Sequence, residues 1–355
     1  MIRTAITSAL LASAAVTAAA AGHDLFVCAV VNDHYVVGST YVTESGLFRL
    51  TPPSAVGSGT TASPGTPGWR HIGINDVGLA AVAFDPRDPS VFYTATLNGC
   101  VRTLDGGRHV RVTTSWDMTE PRDVAVDPHA PDTVYLALPD GIAVSPDRGD
   151  TWHRCETGLP ERGKYTQTLA IDRETRGRVL AGCETGIYLT ENGGAHWRRV
   201  LPTVDTVTDI EQSPQDGRVW CAVTQSAGGW LSHDGGATWT RMAGLPGDKA
   251  YYNLSFDATH PHRLVVGSYT YGVLTSEDGG ATWTPRNAGL PPGHHVWRVG
   301  VDPDSGRLYA NVTGEAIHAS ADFGRTWTSA GLRGSRVSRF VFVPHATPGT
   351  INRQQ

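Results

Sequence analysis

Apolar residues recur in short alternating runs along the chain. Asp123-Val-Ala-Val-Asp-Pro128 reads as one strand, residues 133–138 as a second, 142–145 as a third, and the chain after Trp152 as a fourth. The same order returns as Leu254-Ser-Phe-Asp257, Arg263-Leu-Val-Val-Gly-Ser268 and residues 273–276. Strands this short, punctuated by turn residues every 8–12 positions or so, predict an all-β chain.

The pattern has a period. Ser145-Pro-Asp147-Arg-Gly149-Asp-Thr-Trp152 recurs around Asp234 and Trp239, around Asp278 and Trp283, and around Asp322 and Trp327. A softened copy carries Asn192 and Trp197, and a more degenerate one carries Asp105 and Val110. Positions 105, 147, 192, 234, 278 and 322 are spaced by 42, 45, 42, 44 and 44 residues. A period of this length marks a propeller or a solenoid.

The repeat resembles the Asp-box, or BNR, motif Ser-x-Asp-x-Gly-x-x-Trp of sialidases, sortilin-type receptors, xyloglucanases and photosystem II assembly factors. The resemblance implies a β-propeller of four-stranded antiparallel blades, over essentially the whole chain after residue 24. The chemistry of the box is local. Glycine supplies the positive φ of a tight turn, while Asp and Ser accept the turn's own N–H groups. Trp packs into the seam with the neighbouring sheet. Turn chemistry accounts for these residues, so they are given no catalytic or calcium-binding role.

The first blade is less regular. His34-Tyr-Val-Val-Gly-Ser39 echoes the strand at 263–268, and Gly46-Leu-Phe-Arg-Leu50 sits where a third strand belongs. Residues 51–68 contain only Thr, Pro, Ser, Ala, Val and Gly and read as a flexible insertion. Counting Trp69, Val110, Trp152, Trp197, Trp239, Trp283 and Trp327 predicts seven blades. One propeller is expected over residues 23–345, followed by a tail at 346–355. Either residues 25–30 or residues 337–343 can take the innermost place in blade one and close the ring, which removes an exposed sheet edge.

Composition adds three constraints. In 355 residues, 41 Gly and 22 Pro agree with dense turns, and a net charge of -5 with scattered Lys and Arg argues against nucleic acid. Arg3, an uncharged Ala- and Leu-rich stretch over 4–21 and a small-residue end read as a signal peptide over 1–22, hence a secreted or periplasmic protein. That stretch is too short and Ala-rich to span a membrane, and no other segment is expected to. Five cysteines without a CxxC pair read as buried strand residues, and neither metal nor cofactor is expected. A monomer is the expected state.

With the four strands of a blade lettered A to D from the axis outward, the D–A and B–C loops of propellers share one face with the funnel mouth. Residues entering each innermost strand therefore form the candidate site. They are Ala81, Asp123, Thr168, Asp209, Asn253, Arg298 and Arg339, preceded by Ala80, Arg122, Gln167, Thr208, Tyr252, Trp297 and Ser338. Two positions further along, most blades carry a small residue, but blade five carries Glu211. Strand alternation puts Glu211 on the side of Asp209, roughly 7 Å away. Two partly buried carboxylates push their pKa values apart, which suits an acid and a base; the alternative is an ion pair with Arg298 or Arg339 that stiffens the funnel.

Candidate catalytic residues are thus Asp209, Glu211, His295 and Tyr252. Candidate ligand contacts are Asp123, Arg122, Asn253, Trp297, Arg298 and Arg339. Nearby loops add Lys164, Tyr165, Lys249, Tyr251 and His294, with Glu44, Glu184 and Glu315 near B–C turns. His260-Pro-His262 falls on an A–B turn, away from the funnel.

Sialidase activity is not expected. The nearest string to the Arg-Ile-Pro motif of those six-bladed enzymes is Phe48-Arg-Leu-Thr-Pro52, in the third strand of blade one. For their arginine triad only Arg298 and Arg339 offer counterparts able to hold a carboxylate, the third being unassigned, Arg122 at best. Three functions remain: a propeller binding a glycan or protein in its funnel, a glycoside hydrolase or polysaccharide lyase, and a small-molecule enzyme on the same scaffold.

Overall fold

The computed structural model describes residues 22–31, 45–51, 68–203 and 205–345. They form seven sheets of four antiparallel strands, with no helix among the described residues. Strands A to D run outward from the axis. The inner strands of blades two to seven are Ala81–Asp85, Asp123–Val126, Thr166–Ile171, Val207–Gln212, Tyr251–Phe256 and Val296–Val301. No described helix is long and apolar enough to cross a membrane. The leader, the insertion at 52–67, the echo at 34–39, Glu44 and the tail at 346–355 lie outside the described residues.

Blade one is shared by the two ends of the described chain. Ser335–Pro344 is innermost and pairs antiparallel with His23–Val31, which pairs in turn with Gly46–Thr51 and then Gly68–Ile72. The C-terminal strand therefore takes place A and the N-terminal strand place B, the place that the echo at 34–39 seemed to claim. The register matches Phe26 with Val341 and Cys28 with Arg339. Both ends of the described chain thus meet in one sheet, which closes the ring between blades seven and two.

The core lies in the seams between sheets. Tyr135, Ala137 and Ile142 of blade three pack with Leu169, Val179, Tyr188 and Trp197 of blade four. Blades six and seven meet likewise through Val265, Val273, Val299, Leu308 and Trp327. Each sheet is apolar on both faces, so a blade is stable only between two others. Cys28, Cys100, Cys183 and Cys221 are buried in these strands, Cys155 is partly buried, and all five are free thiols.

The repeated hairpins share one hydrogen-bond pattern. Ser145 Oγ accepts from Gly149 N at 2.7 Å, and Asp147 Oδ1 accepts from Thr151 N at 2.8 Å. Thr151 Oγ1 donates to Asp147 Oδ2 at 2.6 Å. The same contacts recur around Asp234, Asp278 and Asp322. Gly149 has φ +84, a conformation that strains any residue with a Cβ. The indole N–H groups of Trp69, Trp152, Trp197 and Trp327 reach the preceding blade, whereas those of Trp239 and Trp283 turn back to Gly236 and Gly280. At the degenerate site Val110 is 38% exposed, since a valine is too short to reach the seam.

These hairpins make the fold acid-sensitive. The threonine hydroxyl, then the backbone N–H, holds Asp147, Asp278 and Asp322 at about 2 instead of 3.8. The ionised form is favoured in the folded chain, so the stabilisation is complete above 3.8 and is lost as pH falls through about 2. The melting temperature is therefore expected to fall between pH 4 and pH 2. A triple Asp→Asn variant at 147, 278 and 322 should flatten that slope, and an unchanged slope in calorimetry overturns the assignment.

Candidate functional site

An innermost strand has a ladder partner on one side only, so its channel-side backbone groups need other partners. Side chains of neighbouring blades supply them. Asp123 Oδ2 accepts from Leu169 N at 3.0 Å and from Thr168 Oγ1 at 3.2 Å. Asp209 Oδ2 accepts from Leu254 N at 3.2 Å, and Glu211 Oε2 from Phe256 N at 3.2 Å. Asn253 takes Val299 N at 2.9 Å and donates to Val299 O at 2.8 Å. The polar residues at the strand entrances are thus stitches between blades, and blade five adds a second carboxylate, Glu211, to the stitch that Asp209 makes.

In blades four to seven the A–B register slips at the same place, between residues 166 and 168, 207 and 209, 251 and 253, and 296 and 298. The extra residue is Gln167, Thr208, Tyr252 or Trp297. A bulge re-aims side chains and often borders a functional site. Here the four extra residues line the D–A mouth, while the successors Asp209 and Asn253 line the far end of the channel and Arg298 reaches both.

The channel is consequently two cavities. The mouth, about 550 Å³, is lined by Tyr165, Gln167, Thr208, Tyr252, Trp297 and Arg122, among others. The cavity at the A–B face, about 490 Å³, is lined by Asp209, Glu211, Asn253, Arg298, Arg339 and Phe342, among others. Arg298 borders both. The candidates therefore do not share one pocket: the paired carboxylates open to the A–B side, and the aromatic residues to the D–A side. Asp123 is fully buried between, 3.3 Å from Arg339.

Electrostatics follows from this crowding. Burial, then the charge of Asp209, raises the Glu211 carboxyl to about 8. Burial also raises Asp209, against the pull of Arg339 and Arg298. Arg298 is pushed down to about 10 by burial. Burial opposes the charge of Arg339 as well, but Asp123 and Asp209 outweigh it and keep its pKa above the usual value. Near neutrality Glu211 therefore carries a proton; among the described residues it accepts one hydrogen bond, from Phe256 N, and forms no ion pair.

At the mouth, four rings form one cluster. Trp297 stacks on Tyr252 with centroids 4.1 Å apart, and His295 stacks on Tyr269, also at 4.1 Å. Tyr252 and Tyr269 meet edge to face at 6.5 Å. His295 Nδ1 lies 2.7 Å from the Tyr269 carbonyl, which only accepts, so Nδ1 holds the proton and Nε2 is left for a ligand. The other loop candidates have structural duties. Tyr251 is buried, Glu184 accepts from Tyr165 N at 3.1 Å, Lys164 pairs with Glu156, and His294 faces the Pro291 carbonyl at 3.2 Å.

Sequence reasoning missed Trp116. It is 92% exposed at the tip of a turn closed by Met118 N and Ser115 O, and Arg154 grips the adjoining Asp117 carbonyl. The same loop bonds through Glu120 N to the carbonyl of Leu97, which lines the mouth. The available signal was a tryptophan outside the box position in a D–A connection.

Among known proteins, no family model matches the chain. A xyloglucanase from Paenibacillus sp is 26% identical over 239 residues, covering 53% of this chain and 23% of that protein. The GH74 xyloglucanase from Xanthomonas campestris superposes with a TM-score of 0.62 at 18% identity, over 92% of this chain and 55% of that one. YCF48 from Cyanidioschyzon merolae superposes with a TM-score of 0.54 at 17% identity, over 73% and 86%, and another YCF48 structure is bound to D1 peptide. The chain spans about a quarter to about half the length of the xyloglucanases it matches. Its fold is that of a seven-bladed propeller, shared with GH74 xyloglucanases and YCF48.

Proposed function

We propose that this chain is an extracytoplasmic carbohydrate-recognising propeller that takes a glycan at its D–A mouth. The observation that carries the reading is the cluster of Trp297, Tyr252, Tyr269 and His295 beside a cavity of about 550 Å³ that also offers Gln167, Thr208 and guanidinium groups. Flat apolar ring faces with a few convergent polar groups match the apolar faces and hydroxyl edges of sugars. Likeness to a xyloglucanase supports the same ligand class. The leader-like residues 1–22 support export.

An unbiased oligosaccharide screen read by tryptophan fluorescence tests the proposal. Trp297→Ala is expected to weaken saccharide binding about 10-fold or more, with little change in melting temperature. Binding of peptides but of no saccharide overturns it.

A second reading is favoured by one observation, the pair of carboxyls Glu211 and Asp209 in the A–B cavity, where burial and then Asp209 raise Glu211 to about 8. A carboxyl that keeps its proton near neutrality is suited to donate it to a leaving group. In that reading the chain cleaves glycans from the face opposite the mouth, and sugar release by the full chain and by Glu211→Gln decides it.

A further inference from the structure

Two guanidinium groups at the floor of the mouth have no anion among the described residues. Arg122 enters from blade three and Arg298 from blade seven, and both line the mouth cavity. Arg298 gives one Nη1 hydrogen to the Tyr252 carbonyl. Its Nε, and the Nε of Arg122, are buried without a hydrogen-bond partner among the described residues. No described carboxylate forms an ion pair with either group, and no Asp or Glu among the described residues lines the mouth. The nearby Arg339 differs. It is taken by Asp123 at 3.3 Å and faces the A–B cavity.

Polar atoms withdrawn from water are normally satisfied, and buried charges are normally paired. Two like charges that sense each other across a channel add to the cost, and the charge of Arg122 is among the influences that lower the pKa of Arg298. Asp209 acts on Arg298 from the A–B cavity and Asp123 from between the two cavities, so no described carboxylate offsets either group from the mouth side. A planar anion with two oxygens fits the guanidinium fork and restores both pairings. The ring cluster of Tyr252 and Trp297 stands directly beside this floor, since residues 297 and 298 are consecutive.

We propose that the mouth is a site for acidic glycans, in which a sugar ring lies against the aromatic wall and its uronate carboxylate descends between Arg122 and Arg298. This rests on the carbohydrate reading and adds the charge of the ligand. Neutral sugars would bind through the rings alone, and peptides ending in a free carboxylate would compete for the same two arginines.

The test compares uronate tetrasaccharides with their methyl esters by calorimetry on the full chain at low and high salt. A peptide with a free or amidated C-terminus serves as a third probe. The acid form is expected to bind at least about 10-fold more tightly than the ester at low salt, and to lose that advantage as salt rises. Arg122→Gln and Arg298→Gln should each weaken the acid form by about 10- to 100-fold while changing the ester less than about 2-fold. Because Arg298 also anchors a backbone carbonyl, Arg122→Gln and Arg122→Lys carry the test if Arg298→Gln does not fold. Arg122→Lys keeps the charge but loses the fork, and an intermediate loss is expected.

Equal affinity for acid and ester overturns the inference and leaves the carbohydrate reading standing. Acid binding that ignores both arginines also overturns it. Failure of every saccharide, acidic or neutral, overturns both, and carboxylate-dependent binding of the peptide alone assigns the site to a protein ligand instead.

Discussion

Glu211→Gln is expected to raise the melting temperature at pH 9 by on the order of 5 °C and to leave it nearly unchanged near pH 4. Glu211 is partly buried, accepts among the described residues only from Phe256 N, and its carboxyl is raised from 4.5 to about 8 by burial and by Asp209. In the unfolded chain it ionises at an ordinary value, so folding favours the protonated form. The stabilisation this lends is full below 4.5 and is lost as pH rises through about 8. Above that point the folded chain carries a second carboxylate next to Asp209, at a penalty of roughly 1–3 kcal/mol once screening by water in the cavity is allowed for. Glutamine keeps the shape and the acceptor for Phe256 N, and never ionises.

The pH series of melting temperatures also separates the two roles weighed for this residue. An anchoring ion pair with Arg298 or Arg339 would make Glu211→Gln destabilising near neutrality, and that result removes the protonated-acid description altogether. If the A–B cavity cleaves glycans, the same variant loses about 10²- to 10⁴-fold in turnover while becoming more stable. Stability and turnover then move in opposite directions, which a purely structural carboxyl would not produce.

Asp123→Ala is expected to cost about 3–5 kcal/mol, enough to be seen as a large fall in the urea midpoint with an unchanged slope. Asp123 is fully buried. It accepts from its own neighbour Val124 N at 2.9 Å, from Leu169 N at 3.0 Å and from Thr168 Oγ1 at 3.2 Å, and it faces Arg339 at 3.3 Å. Alanine strands three donors and leaves a guanidinium in the channel without its anion. Arg339 stands on the C-terminal strand that closes the ring, so the pair ties blade three to the closure. Arg339→Met should cost less than Asp123→Ala, because the carboxylate retains its three other donors. A loss of ligand binding in Asp123→Ala without loss of stability would instead return Asp123 to the ligand contacts.

The structural chemistry of the repeat was legible in the sequence because it is local. Ser145, Asp147, Gly149 and Thr151 lie within one turn, and the bonds they form depend on little beyond that turn. The seam contacts were legible in kind, since a large indole at fixed spacing must be buried somewhere. Their direction was not, and Trp239 and Trp283 turn back to their own hairpins while Trp197 and Trp327 reach the blade before. The residues at the strand entrances were legible as a ring of polar groups. That Tyr252 and Trp297 face one mouth, while Asp209 and Glu211 face the other, depends on bulges that move the A–B register by one residue.

The sequence by itself determined the seven-blade ring, because each period of 41 to 45 residues encodes its own turn, its own alternation and its own seam residue. Only the tertiary structure decided which end of the chain lies innermost in blade one, since residues 25–30 and 337–343 have the same strand character and differ only in what surrounds them. It alone divided the channel, because the sense in which a side chain points is set by a one-residue slip that leaves no mark in composition. It alone left Arg122 and Arg298 without anions among the described residues and raised the Glu211 carboxyl, because pairing and desolvation belong to groups brought together from separate blades.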